Sequence, residues 1–191
     1  MMPLVISFYT NDHRYPWHAK QLRRDCEKLR LEYRIEEMES SKNWLGNCCI
    51  KPFFIRDILR EEKRPVLWVD CDNRILRRPD AVRDIAHDCA LVRKPPGCAR
   101  QWMVSVMAFN YTEKALSLLD TWCEATGECS DDSAMEDIWQ AGAFGDVSVL
   151  ELPAHYTELK RRTNMTVIHV GISDGESKKE QLAALRAVRG Y

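Results

Sequence analysis

Apolar runs alternate with amphipathic stretches along this chain, and the pattern predicts an α/β domain. The first apolar run covers residues 4–10, and a later, wholly apolar run at 66–69 predicts a buried strand. Between them, apolar residues at helical spacing predict a helix from about 17 to 31, and residues 33–35 predict a short second strand. Strands that alternate with helices in this way favour a largely parallel sheet.

The same alternation continues through the rest of the chain. A helix is expected at 50–59, where Pro52 is tolerable in the first turn. The other expected elements are strands at 90–92, 104–110, 147–152 and 166–169, a short helix near 82–86, helices from 112 and from about 131, and a final helix near 176–188. No repeat or linker divides the sequence, so a single domain is predicted over 1–191.

Composition excludes several classes of protein. The formal net charge of −1 provides no global field that would recruit nucleic acid or an anionic membrane. The sequence contains neither a signal-peptide pattern nor about 18 successive apolar residues, and its eight cysteines include no C-x-x-C pair, so we expect a reduced, cytoplasmic protein. Gly46 is the first glycine, which argues against a glycine-rich dinucleotide or P-loop site after the first strand.

The most informative motif is Asp70-Cys71-Asp72, which directly follows the apolar run at 66–69. If strand alternation continues through the motif, both carboxylates point to the same side. Such oxygen donors suit Mg²⁺ or Mn²⁺, which commonly also bind the phosphates of a nucleotide. His169 ends a later apolar run and is a second candidate ligand, although a packed structural histidine is the commoner case.

The order of the segments resembles that of the metal-dependent GT-A fold glycosyltransferases, particularly the nucleotide-diphospho-sugar transferase and family 8 type. The segments that carry the resemblance are Lys51-Pro52-Phe53-Phe54-Ile55, VLWVDCDNRILRRPD, Ser105–Asn110 with YTEKALSLLDTW, Asp131-Asp132-Ser133-Ala134-Met135, VLELPAHY, and His169 with Gly171 and Lys178. Together they cover nearly the whole chain. Asp132 departs from the pattern, because these proteins usually have glutamine there.

The resemblance implies a GT-A-like, Rossmann-type α/β fold with a mixed, mostly parallel sheet flanked by helices. It further implies a nucleotide-binding half at about 1–76, an acceptor and metal-closing half at about 77–175, and a C-terminal helix at about 176–188. The implied activity is transfer of a sugar from a nucleotide-sugar, with UDP as the expected nucleotide, to a hydroxyl group.

The resemblance also implies roles for particular residues. Asp70, Asp72 and His169 would hold Mn²⁺ or Mg²⁺. The residues implied to contact the donor are Tyr9, Thr10, Lys51, Asp70 and Lys178. Asp131 could bind a sugar hydroxyl or act as a base, but an aspartate at a helix start also suits an N-cap, which is the interpretation we favour.

Other functions remain open from the sequence. A saccharide is the favoured acceptor, and a hydroxymethylated DNA base is an alternative if the basic runs 160–162 and 74–78 flank the site. A haloacid-dehalogenase-like phosphatase also carries Asp-x-Asp after a strand, with one carboxylate as nucleophile, but its motif normally opens the domain. A non-catalytic nucleotide-sugar-binding module is the third hypothesis. The sequence decides neither the anomeric outcome nor the oligomeric state.

Overall fold

The computed structural model describes residues 1–41, 44–98, 100–127, 129–157 and 167–169. The strands are β1 Leu4–Thr10, β2 Tyr33–Met38, β3 Val66–Val69, β4 Arg74–Ile75, β5 Cys89–Arg93, β6 Trp102–Phe109, β7 Val149–Leu152 and β8 Ile168–His169. The helices are α1 Tyr15–Leu29, α2 Trp44–Glu62, α3 Glu113–Ala125 and α4 Asp131–Gln140, and two short 3-10 turns cover Asp80–Val82 and Ala154–Tyr156.

Six strands form one sheet in the order β2-β1-β3-β6-β5-β7. The pairs β1–β2, β1–β3 and β5–β7 are parallel, whereas β6 is antiparallel to both of its neighbours. The other five strands therefore run in one direction, and their carboxyl ends meet at one edge of the sheet. The predicted mixed, mostly parallel sheet is confirmed.

Helices cover both faces of this sheet. Helices α2, α3 and α4 pack on one face against Ile6, Trp68 and Phe109, and α1 packs on the other face against Val5 and Leu67. Strand β3 is buried along its whole length. This two-sided burial explains why β3 reads as a continuous apolar run and not as an alternating one.

Some predicted boundaries were wrong. Helix α2 already includes residue 44, so Pro52 lies inside the helix and not in its first turn. An internal proline costs about 3 kcal/mol because it loses a backbone hydrogen bond and crowds the preceding turn. Burial of Phe54 and Ile55 just after it offsets that cost. The helix expected at 82–86 is only the 3-10 turn Asp80–Val82, and the final helix at 176–188 lies outside the described residues.

A small second sheet places the late segment beside the Asp-x-Asp motif. Strand β8 pairs antiparallel with β4, and His169 is the register partner of Arg74. Strand β4 is itself fixed to α1, because Arg74 donates Nε and Nη2 to the Asp25 carboxylate at 2.6 and 2.8 Å. The Ile75 backbone N–H donates to the same carboxylate at 3.1 Å. Backbone pairing thus brings β8 next to the segment that follows the motif, although about 95 residues separate the two in the sequence.

Candidate active site

The Asp-x-Asp motif lies in a turn and not in a strand. Strand β3 ends at Val69, and the Asn73 N–H donates to the Asp70 carbonyl at 2.9 Å, which closes the turn. The turn is fixed to β6 because the Asp70 N–H and the Asn73 side-chain amide both donate to the Ser105 carbonyl, at 2.9 and 3.1 Å. The argument from strand alternation was therefore wrong, since alternation stops where the strand stops.

The Asp70 carboxylate is held from one side. Its Oδ1 accepts a hydrogen bond from Trp68 Nε1 at 2.8 Å and lies 2.9 Å from Lys51 Nζ. Trp68 is 2 % exposed, so its indole N–H is a rigid donor. Both of these contacts use Oδ1, and the Asp70 side chain is 30 % exposed. Asp70 is therefore oriented by the core while part of its carboxylate still faces the edge of the sheet.

Lys51 is a buried cation that joins two carboxylates. Its Nζ lies 2.9 Å from Asp70 and 2.5 Å from Asp131, and it donates to the Val104 carbonyl at 3.2 Å. Burial alone would lower the pKa of Lys51, but Asp131 and Asp70 raise it above its ordinary value, so the side chain stays charged. These three groups surround the ammonium, which has three protons to donate. A donor that contacted Lys51 directly would compete with them.

Asp131 is the second partner of Lys51 and is almost fully buried. It is the first residue of α4, its side chain is 6 % exposed, and its backbone carbonyl accepts from Trp122 Nε1 at 2.9 Å. The N-cap of α4 is Ser130, so the N-cap interpretation of Asp131 was wrong. The physical reason is that the Asp131 carboxylate forms an ion pair with the buried ammonium of Lys51. Burial and the charge of Asp70 raise the pKa of Asp131, and Lys51 opposes this rise.

Asp72 lies within electrostatic range of Tyr15 at the start of α1. Its carboxylate raises the pKa of the Tyr15 hydroxyl, an effect second only to burial of that tyrosine. The two aspartates therefore border different elements: Asp70 contacts Lys51 of α2, and Asp72 lies near Tyr15 of α1. The turn sits between these two helices at the carboxyl edge of the sheet.

The charge of this region suits a cation. Asp70 and Asp131 both pair with the ammonium of Lys51, and that single positive charge cannot neutralise two carboxylates. Asp72 adds a further carboxylate two residues after Asp70. Among the side chains that the structure describes, no three His, Cys, Asp or Glu residues are close enough to hold a metal ion together. The imidazole of His169 is not one of these described side chains, and Lys178 also lies outside them. The two motif carboxylates thus offer hard oxygen ligands of the kind that Mg²⁺ and Mn²⁺ prefer.

The residues at the end of β1 turn to opposite faces. Thr10 is buried and donates its hydroxyl to Asp12 at 2.5 Å, and Asp12 also accepts from Ser40 at 2.8 Å. The Tyr9 hydroxyl donates to Glu37 at 3.2 Å. Both residues lie at the expected edge of the sheet, and their contact with a base or ribose stays a prediction. Asp12 was missed by the sequence reasoning because it reads as an ordinary turn residue.

Two tryptophans and the two basic runs also bear on the sequence predictions. Trp68 lies in the predicted buried strand and Trp122 in the helix predicted from 112, and their indole N–H groups bind the Asp70 carboxylate and the Asp131 carbonyl. The signal that could have found Trp68 is its position two residues before Asp70, in the buried strand that leads into the motif. Of the two basic runs, 160–162 lies outside the described residues, and Arg74 of the other is bound to Asp25 and does not form a free patch.

Comparison with solved structures is consistent with this architecture. A glycosyltransferase involved in glycosylation of the major capsid of PBCV-1 superposes with a TM-score of 0.70 at 10% identity, covering 96% of this chain and 100% of that one. The chain has the GT-A-like fold of glycosyltransferases. The glycosyltransferase GlyE of Streptococcus pneumoniae TIGR4 superposes with a TM-score of 0.57 at 13% identity, over 91% of this chain and 56% of GlyE. The apo form of GlyE gives 0.62 at 12% identity, over 91% of this chain and 55% of that one.

Comparison of sequences gives no such match. No protein-family model matches the sequence, and no curated protein matches it. The relationship is therefore visible in the fold, and the resemblance to family 8 stays an expectation from the motifs. No helix in the described part of the chain has the length and apolar character needed to cross a membrane.

Proposed function

We propose that this protein is a metal-dependent glycosyltransferase that moves a sugar from a nucleotide-sugar, with UDP as the expected nucleotide, to a hydroxyl acceptor. The observation that supports the proposal is the placement of Asp70, with Asp72 two residues later, at the carboxyl edge of a GT-A-like sheet, where Lys51 joins Asp70 to Asp131. Ligands of open α/β sheets bind at this edge.

The residues present fit Mn²⁺ or Mg²⁺. Asp70 and Asp72 would supply carboxylate oxygens, and the pairing of β8 with β4 supports His169 as a further ligand because it brings that backbone to Arg74. A divalent cation bound there would neutralise charge on the leaving nucleoside diphosphate. Lys178 is proposed to add a positive charge to the same phosphates.

The chain's own contribution is to hold the carboxylates in place before the donor arrives. Trp68 and Lys51 fix Asp70, and Lys51 in turn fixes Asp131. Preorganised groups of this kind need no rearrangement during the reaction. Asp131 as a base stays a prediction, and its burial and ion pair support a positioning role. We assign no nucleophile.

A saccharide is the proposed acceptor, and a hydroxymethylated DNA base is the second candidate. The PBCV-1 neighbour is described as involved in glycosylation of the major capsid and not of DNA, which favours the first candidate over the second. We also propose a cytoplasmic location, because all eight cysteines are present as thiols, which is typical of a reducing compartment.

Thermal unfolding with a panel of nucleotide-sugars, with and without Mn²⁺, tests the donor and the metal together. A ligand at 100 times its Kd stabilises by about 2.7 kcal/mol, and each kcal/mol moves the Tm by roughly 2–4 °C at this size. We expect a rise of roughly 5–11 °C with one nucleotide series and Mn²⁺, and loss of that rise when EDTA removes the metal. No rise with any nucleotide-sugar would contradict the proposal.

The variant Asp72→Ala tests whether the metal-dependent rise in Tm depends on the Asp-x-Asp motif. We expect it to abolish the metal-dependent rise in Tm while leaving the Tm of the free protein close to that of the parent. The matched control is Asp57→Ala, which removes an exposed carboxylate on α2 whose described ion-pair partner is Arg56. If Asp72→Ala bound donor as the parent does, with the same metal requirement, the site assignment would be wrong.

Product analysis separates the three functions. A transferase releases nucleoside diphosphate only when an acceptor is present, a phosphatase releases inorganic phosphate from phosphomonoesters, and a binding module does neither. Saccharides and hydroxymethylated duplex DNA are supplied in separate reactions. NMR of the product then gives the anomeric configuration.

A further inference from the structure

The hairpin that joins β5 to β6 is fixed to the first turn of α4. Arg100 donates Nη1 to Asp132 and Nη2 to the Ser133 hydroxyl, the latter at 2.6 Å. The next residue, Gln101, donates its backbone N–H to Glu136 at 2.6 Å. The hairpin therefore donates hydrogen bonds to three acceptors in the first two turns of α4.

The first turn of α4 also carries Asp131. Asp132 directly follows Asp131 but faces the other way, toward Arg100 and the Ser130 hydroxyl, which donates to it at 2.6 Å. Burial alone would raise the pKa of Asp132, but the Ser130 hydrogen bond and the charges of Arg100 and Lys94 lower it. The carboxylate is thus held ionised between the hairpin and the helix.

These contacts link Arg100 to Asp70. Arg100 pairs with Asp132, which is the chain neighbour of Asp131 within α4. Asp131 is in turn joined to Asp70 by Lys51. A single guanidinium with two bonds resists rotation of the helix start, whereas one ion pair alone would permit it.

We propose that Arg100 is a positioning residue that fixes the start of α4 and thereby holds Asp131, Lys51 and Asp70 in their arrangement. Asp132 is the partner through which it acts. The catalytic consequence rests on the proposed glycosyltransferase function, but the effect on Lys51 does not. Arg100 itself need not contact donor or acceptor.

The decisive variant is Arg100→Gln, and its matched control is Arg93→Gln. Arg93 lies on the same hairpin but pairs with Glu151 of β7 at 2.8 Å and donates to the Gln101 side chain at 2.9 Å, and among the described residues it forms no hydrogen bond or ion pair with α4. The Arg93 pair is exposed, whereas the Arg100 pair is partly buried. We therefore expect Arg93→Gln to keep a Tm close to that of the parent and Arg100→Gln to fold with a lower Tm.

The first readout is the side-chain ammonium of Lys51, observed by ¹H–¹⁵N NMR and assigned by its loss in Lys51→Arg. Because this group is buried and paired with Asp131 and Asp70, its protons should exchange slowly with solvent in the parent and in Arg93→Gln. We expect Arg100→Gln to accelerate that exchange by about tenfold or more. A tenfold change corresponds to a free energy of opening that is lower by about 1.4 kcal/mol. Unchanged exchange, or equal acceleration in Arg93→Gln, would overturn the proposal.

The second readout is the rate of sugar transfer. We expect Arg100→Gln to lower kcat by between about 10-fold and 100-fold, the scale of a small misplacement of a catalytic group, with a smaller change in KM for the acceptor. A change confined to acceptor KM would show that Arg100 binds acceptor and would overturn the positioning role. If the parent transferred no sugar, the proposed function would fail while the exchange measurement would still decide the role of Arg100.

A conservative variant tests the two-point contact. Arg100→Lys keeps a positive charge beside Asp132, but one nitrogen cannot reach both Asp132 and Ser133 as a guanidinium does. We expect exchange of the Lys51 ammonium to lie between parent and Arg100→Gln. Full recovery by lysine would show that charge alone suffices and would refute the two-point contact. This variant also decides the question if Arg100→Gln does not fold.

Discussion

Replacement of Lys51 by methionine tests whether the buried cation organises the site. The ammonium lies 2.9 Å from Asp70 and 2.5 Å from Asp131, with the Val104 carbonyl as its third acceptor. Methionine has similar length but no charge, so Lys51→Met leaves two carboxylates close together with no cation between them. Removal of one partner of a buried ion pair costs about 3–5 kcal/mol. At roughly 2–4 °C per kcal/mol, the expected fall in Tm is roughly 6–20 °C.

The pH dependence of the stability of Lys51→Met gives a second, more specific test. Without Lys51, burial and Asp70 raise the pKa of Asp131 with no opposing charge. A carboxyl group whose pKa is higher in the folded state than in the unfolded state destabilises the protein as pH rises through the folded value. Lys51→Met should therefore regain stability relative to the parent as pH falls from 7 toward 5, and Asp131→Asn added to it should restore part of the Tm at pH 7.

Calorimetry or circular dichroism at pH 5 and pH 7 measures both effects, with Lys20→Met on the exposed face of α1 as the control. A Tm for Lys51→Met within 2–3 °C of the control, where the buried pair predicts roughly 6 °C or more, would refute the reasoning. The same would follow from equal losses at the two pH values, because an uncompensated carboxylate must respond to protonation.

Two further predictions concern polar contacts that hold elements of the fold together. Asp88 accepts hydrogen bonds from Thr112 at 2.7 Å and from the Ser148 backbone and hydroxyl at 2.8 and 2.7 Å, which together outweigh burial and lower its pKa below 3.8. That stabilisation is complete above pH 4 and declines as pH falls through the folded pKa, so acid titration of Asp88→Asn should show a smaller loss of Tm below pH 4 than the parent shows. Trp122→Phe removes the N–H that binds the Asp131 carbonyl, and chemical denaturation should show a loss of about 1–3 kcal/mol; an unchanged midpoint would mean that this carbonyl finds another donor.

Much of the fold could be read from the sequence because its strands are buried on both faces. Runs such as 4–10 and 66–69 were recognised as strands from apolar residues alone, and β1 and β3 have those bounds. The helix expected from 112 has Thr112 as its N-cap, whose side chain accepts from the Ala115 N–H at 3.1 Å. The start of α2 was misplaced because Pro52 is a local signal for a helix start that tertiary packing overrides.

The candidate site was less predictable than the fold. Asp70 and Asp72 were found from their position after a buried strand, which is a local property. The pairing of Lys51 with Asp70 and Asp131 was not found, because the resemblance implied only a donor contact for Lys51 and its partners depend on where the helix is placed. Asp131 was read as a cap for the same reason, since its partner lies 80 residues away in the chain.

The sequence by itself determined the strands, the helices and the two motif carboxylates, because apolar periodicity and turn chemistry act over a few residues. Only the tertiary structure decided that Lys51 is buried between Asp70 and Asp131, that Trp68 orients the motif, and that β8 returns to pair with β4. The physical reason is that these contacts join residues distant in sequence, and the charge of a buried lysine dictates its partners only once packing has removed water from it.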